Sequence, residues 1–206
     1  MTLRRLEWVS TVLLAVATVA TAWSAYQSRQ WTGEQAQATS AATAARIAEN
    51  RSAALANRQV QIDVATFIQW LNAHQRRDTH LADFYEARFR EEFKAPFASW
   101  LATNPFADKT APPTPFAMPD YKLKASAQAE RLEATAAADS ERSKQANQRA
   151  DNYMLAVVLF ASALFFAGIS SKLENMGART AVLGLGCVLF LATAIWLATF
   201  PVRLTT

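Results

Sequence analysis

The stretch Trp8–Ser28, WVSTVLLAVATVATAWSAYQS, is 21 residues long and carries no charged side chain. As a helix it rises about 31 Å, which matches a hydrocarbon core of ~30 Å. Two more windows share the property: Asn152–Ser171 with 20 residues and Thr180–Val202 with 23. Overall composition, 51% apolar and 18% charged, resembles that of a soluble protein, so it is the distribution that decides the class. These windows exclude a purely soluble chain and a disordered one. The only cysteine, Cys187, lies inside the third window, which excludes a disulfide framework. A signal peptide ending near Ala20-Thr21-Ala22 is disfavoured, because the apolar run is long for one and helix-favouring sequence continues past it.

Outward from these windows, the breakers are confined. Six of the seven prolines lie between Pro96 and Pro119, and residues 34–95 and 120–167 hold neither proline nor glycine. Both stretches are rich in Ala, Gln, Glu, Arg and Leu, which favour helix. The expected fold is an all-α membrane protein with three transmembrane helices and an elongated helical-hairpin or bundle extramembrane domain. Its parts are residues 1–28 (flank and first span), 29–151 (helical domain with a Pro-rich turn near 104–120) and 152–206 (two spans joined by the link 172–179).

Within 29–151, Val60, Val64, Phe67, Ile68 and Leu71 form one helical stripe. The first helix is expected to run on to about His74, followed by a polar break where Asp78 or Thr79 caps a new helix. The new helix is read as 79–94, folded back beside the first, with a helical Glu86–Arg90 ion pair. Pro96 then opens a short helix carrying Phe97, Trp100 and Leu101. The expected core of this head is Phe67, Trp70, Leu71, Phe84, Tyr85, Phe89, Phe93, Phe97, Trp100 and Leu101, ten large side chains within 35 residues. Phe116 and Met118, in the Pro-rich run, are expected to tuck onto the same domain rather than dock a partner. The lower arms, rich in Ala, Ser and Thr, bury little apolar area per contact, which points to several copies packing together.

Arg4 and Arg5 precede the first span, and Lys172 and Arg179 flank the link. Placing both sets in the cytoplasm satisfies the positive-inside tendency, with residues 29–151 outside. Arg142, Lys144 and Arg149 before the second span oppose this. Trp8, Trp23, Tyr26, Trp31, Tyr153 and Trp196 are expected at membrane interfaces. Thr11, Thr18, Thr21 and Ser24 form a hydroxyl stripe on the first span, read as helix packing or, more sharply, as a pore lining. Gly177/Ala181 and Ala194/Ala198 read as packing pairs.

Several segments resemble stretches of one family of small bacterial inner-membrane proteins. They are Ala25-Tyr26-Gln27-Ser28-Arg29-Gln30-Trp31-Thr32-Gly33-Glu34-Gln35, Asp63-Val64-Ala65-Thr66-Phe67-Ile68-Gln69-Trp70-Leu71-Asn72, Pro115-Phe116-Ala117-Met118-Pro119, and Asp151-Asn152-Tyr153 leading into Leu164–Ile169. The family has an N-terminal span, a helical extramembrane domain, two C-terminal spans and no assigned activity. The resemblance implies a bacterial envelope protein and no chemistry.

The residues themselves offer little chemistry. No Gly-rich phosphate loop, HExxH, nucleophile elbow or CxxC occurs. His74 and His80 fall on different helix faces, and a His74–Asp78 pair lacks the further ligands a metal needs. Asp63 borders the Val60–Leu71 stripe and is read as a solvated or ion-paired flank, with a buried carboxylate as the sharper alternative. The spans hold no ionisable side chain of the kind proton relays use. Basic residues alternate with acidic ones, so no nucleic-acid face forms. The expectation is a non-enzymatic protein with no catalytic, cofactor or metal site. Its partners are the lipid bilayer, its own copies and an unidentified membrane or envelope protein. The competing expectation is an oligomeric channel lined by the first span.

Overall fold

In the computed structural model, which describes residues 3–203, every regular element is helical. The order is α1 (Leu3–Gln75), α2 (Thr79–Glu86), α3 (Glu91–Ala102), a 3-10 turn (Pro115–Ala117), α4 (Lys124–Ser170) and α5 (Met176–Leu197). Three of these, α1, α4 and α5, contain segments long and apolar enough to cross a membrane. The chain divides into two units, one from residues up to Ala41 with those from Ala138 on, the other Ala42–Ala137.

In the first unit, here the spanning unit, α1 buries Leu6, Ser10, Leu13, Ala17, Ser24, Gln27, Ser28, Trp31, Glu34 and Ala38. Steps of three, four and seven keep these on one face. The partner face of α4 is an alanine ladder: Ala146, Ala150, Ala156, Ala163 and Ala167, with Tyr153 and Phe160 between. Small side chains let the backbones approach, and serines bridge them. Ser10 donates to the Ala167 carbonyl and Ser28 to the Ala150 carbonyl, each at 3.0 Å. The two pairings run in opposite senses along the helices, so α1 and α4 are antiparallel. On α5 the close-approach residue is Gly186, where a Cβ would meet the Ala163 carbonyl and Phe166 Cβ at 3.3 Å. Within the chain Gly177, Ala181 and Ala198 are exposed and Ala194 is half-buried, because the buried stripe of α5 is Arg179, Leu183, Gly186 and Thr193.

The second unit, here the aromatic unit, holds the rest of α1, then α2, α3, the Pro-rich loop and the start of α4. Asp78 caps α2, its carboxylate accepting from the Leu81 N–H at 3.0 Å. The single helix expected over 79–94 is in fact two, since α2 ends at Glu86 and α3 starts at Glu91. The turn between them delivers Phe89 to the core, where it is 3% exposed. Pro96 therefore does not open a helix but lies inside α3, five residues past its start. The acidic pair Glu91 and Glu92 occupies that first turn and suits the helix dipole.

The core of this unit comprises Phe67, Trp70, Ala73, Ala82, Phe89, Phe93, Phe97 and Trp100, with Leu71, Tyr85, Leu101, Phe116, Met118 and Tyr121 packed around it. Phe116 stacks on Phe93 with centroids 5.2 Å apart, so the Pro-rich loop closes the core rather than standing free. Trp100 adds a hydrogen bond from its indole to the Pro112 carbonyl at 2.8 Å. Phe84 is the exception among the expected core residues. It is 42% exposed on the outer side of α2, with the Arg88 guanidinium 3.5 Å over its ring.

Candidate functional site

Two polar clusters stand out, one in each unit. In the aromatic unit, Asp63 sits on the buried face of α1, four residues before Phe67, and is fully buried. Its Oδ2 accepts from the Tyr121 hydroxyl at 3.1 Å, and its Oδ1 lies 3.6 Å from Arg90 Nε. Oδ1 makes no hydrogen bond. Arg90 also donates twice to Glu92 Oε2, at 3.1 and 2.6 Å, and Glu92 Oε1 accepts from the Lys124 N–H. The network ties α1, the α2–α3 turn and the start of α4. The Glu86–Arg90 pairing expected from helical spacing is replaced by this one, since no helix joins those two residues.

Burial pushes the Asp63 carboxyl above its ordinary range, and Arg90 and the Tyr121 hydrogen bond offset only part of that. The Tyr121 hydroxyl is raised as well, by burial and then by the Asp63 charge. Glu92 is held below its ordinary value by its hydrogen bonds from Arg90. The cluster's contacts pin three segments of the chain together.

His74 stacks between Trp70 and Phe106, at 5.0 and 4.9 Å between centroids. Among the described residues no group of three or more His, Cys, Asp or Glu side chains comes together.

In the spanning unit, Glu34 is buried between Arg142 and Arg203. Arg142 lies 2.5 Å from Oε1, and Arg203 binds Oε2. Gln27, also fully buried, donates to the Arg203 carbonyl and accepts from its N–H, both at 3.0 Å. Tyr153 donates to the Pro201 carbonyl at 3.2 Å. Arg149 and Arg203 lie over the Trp31 ring at 4.5 and 5.8 Å. The segment after α5 is thus held along its backbone. Burial alone would raise the Glu34 carboxyl, but Arg203 and then Arg142 outweigh it and hold it below its ordinary value.

This changes the reading of the aromatics. Trp8, Trp23 and Tyr26 are exposed at 66%, 41% and 42%, but Trp31 and Tyr153 are buried at 8% and 1%. They line the seat of the C-terminal segment instead of facing outward. Trp196 is half-buried and packs on Phe200. The hydroxyl stripe also divides. Thr11 and Thr18 are exposed, Thr21 is half-buried and Ser24 is buried. Thirteen residues at 3.6 per turn rotate Ser24 about 140° from Thr11. Each of the four hydroxyls donates to the carbonyl four residues back on α1, the common resting place of membrane-helix hydroxyls.

The sequence gives none of Gln27, Glu34, Arg90, Tyr121, Arg142 and Arg203 a place in these clusters: it pairs Arg90 with Glu86 and counts Arg142 only in the charge balance before the second span. Ser24, Gln27, Trp31 and Glu34 recur at three- and four-residue steps, a polar continuation of the buried stripe that could have flagged the seat. No family model, curated protein or solved structure matches this chain.

The seat predicts a measurable effect. Glu34→Gln is expected to cost about 1–2 kcal/mol, below the usual penalty for breaking a buried pair because both arginines reach solvent. A cysteine placed at the half-buried Phe200, in a Cys187→Ser background, should then be labelled several-fold faster than in the parent. Equal labelling rates would show that the Glu34 contacts do not hold the segment.

Proposed function

We propose that this chain is a non-enzymatic, multi-pass bacterial inner-membrane protein that acts as an oligomeric scaffold or accessory/sensory subunit. The N-terminus is cytoplasmic and residues 29–151 are extracytoplasmic in this reading. The observation that carries it is the outer face of α1 in the aromatic unit. Ile47, Leu55, Ile62 and Ile68 are exposed at 50%, 44%, 52% and 48%. Ile47, Leu55 and Ile62 lie within about 80° of one another on the side of the helix opposite Ala56, Asp63, Phe67 and Trp70, whereas Ile68 stands about 100° from Phe67 and off that face. This segment is past the apolar window of the first span, so lipid does not account for it. Aliphatic side chains repeated along one helix face are what a second helix covers.

Cysteines replacing Ile62, in a Cys187→Ser background, should cross-link copies in mild detergent to a defined number of chains. A cysteine at the inward-facing Ala56 should not. A strictly monomeric species across concentrations would overturn the proposal. A pore lined by α1 is the competing reading, supported by the exposed hydroxyls of Thr11 and Thr18. In the same preparation, a bilayer conductance altered by Thr18→Leu would favour that reading over the scaffold.

A further inference from the structure

We propose that the Arg179 end of the spanning unit binds an anionic phospholipid, with the phosphate on Arg179 and one acyl chain in the groove between α1 and α5. This rests on the reading that α1, α4 and α5 cross a membrane.

The groove has a volume of about 380 Å³ and is lined by Trp8, Val12, Val16, Cys187, Phe190 and Leu191, with no charged side chain in its walls. Such a lining suits a hydrocarbon chain and offers nothing to a polar ligand. At its end the chemistry changes. Trp8 lines the groove, and the preceding residue, Glu7, faces Arg179. Arg179 is 7% exposed, an unusual burial for a guanidinium. Its terminal nitrogen is 3.6 Å from Glu7 Oε1, beyond a direct hydrogen bond. The Arg179 stem is buried, but its nitrogens are not sealed off without a partner, so the guanidinium can meet a ligand, and a phosphate offers it the two-oxygen match that Glu7 does not make. The Glu7 side chain is 63% exposed, so it is free to turn away.

Charge decides the class of occupant. Arg4, Arg5, Lys172 and Arg179 belong to the starts of α1 and α5 and to the link before α5, against Glu7 and Glu174. An anionic headgroup is attracted there, by about 1 kcal/mol per basic residue near the surface.

The test uses the full chain, delipidated in mild detergent and titrated with phosphatidylglycerol or with phosphatidylcholine of the same acyl chains. Binding is followed by native mass spectrometry. Phosphatidylglycerol is expected to bind about tenfold more tightly, the equivalent of ~1.4 kcal/mol. Arg179→Gln should bring the two lipids within about twofold. Glu7→Gln should widen the preference, a result that a merely structural Glu7–Arg179 pair does not give. Val12→Trp, which fills the groove, should weaken both lipids. Equal binding of the two lipids by the parent chain would overturn the proposal. So would a preference that survives Arg179→Gln. Alkaline extraction of native membranes separates this failure from failure of the membrane reading. A chain that is released overturns both, whereas one that is retained without headgroup preference overturns the lipid site alone.

Discussion

Phe93→Ala is expected to destabilise the aromatic unit by about 3–5 kcal/mol, the usual cost of emptying a buried aromatic site. Phe93 is 0% exposed and sits in ring contact with Phe67, Phe89, Phe97, Phe116 and Tyr121. Its removal opens a hole that neighbours on α1, α3 and the Pro-rich loop cannot fill together, because each is anchored on a different segment. Edge-to-face and stacked pairs add roughly 0.5–1.5 kcal/mol beyond burial, and several are lost at once. Phe84→Ala is the matched control, with its ring 42% exposed on α2. It should change stability by no more than ~0.5 kcal/mol, as surface substitutions do. Denaturant titration of the full chain in detergent, followed by tryptophan fluorescence, reads both. Trp70 and Trp100 belong to this core and report its loss. A Phe93→Ala loss below ~1 kcal/mol would mean that the core is not organised around this ring.

The helical class was legible because the signals that set it are local. Three uncharged windows, a confined block of prolines and Ala-rich arms each favour helix without reference to distant residues. The break before α2 was legible for the same reason, since Asp78 accepts from Leu81 only three residues on. What escaped was set by partners far along the chain. Phe89 belongs to the core through a turn, and helical periodicity has no way to signal a turn that serves packing. Pro96 looks like a helix start by itself. It is carried inside α3 because Phe93 and Phe97, on either side of it, are buried on one face. Trp31 and Tyr153 are of the residue types found at interfaces, and it is the α1–α4 packing with Ala146 and Ala150, together with the return of Pro201–Arg203, that buries them. Arg90 follows Glu86 by four residues, yet its charge goes to Glu92 and to Asp63, 27 positions upstream, because the intervening helix ends.

Asp63 gives the second large effect, and here the two obvious substitutions should differ. Asp63→Ala leaves the buried Tyr121 hydroxyl without its acceptor and Arg90 with Glu92 alone. It should cost about 2–4 kcal/mol. Asp63→Asn keeps a carbonyl oxygen for Tyr121 and removes a charge whose burial is only partly offset by Arg90. At neutral pH it should lie within about 1 kcal/mol of the parent, because neutral replacements of buried ion-pair members often cost little. The pH dependence has a defined sign. The Asp63 carboxyl is raised in the folded unit, so between its unfolded and folded values the native state binds more protons. The parent therefore gains stability relative to Asp63→Asn as pH falls through the folded value, and loses it again as pH rises. Glu92, held low by Arg90, acts in the opposite direction, its contribution being lost as pH falls. Glu92 is present in both proteins but shares Arg90 with Asp63, so the parent-minus-Asn difference reads Asp63 together with its coupling to Glu92. Denaturant titrations of the pair from neutral pH down to the ordinary carboxylate range measure it. An Asn variant that is more than ~2 kcal/mol weaker at neutral pH, with a difference that does not move with pH, would show that the ion pair with Arg90 outweighs the burial of Asp63.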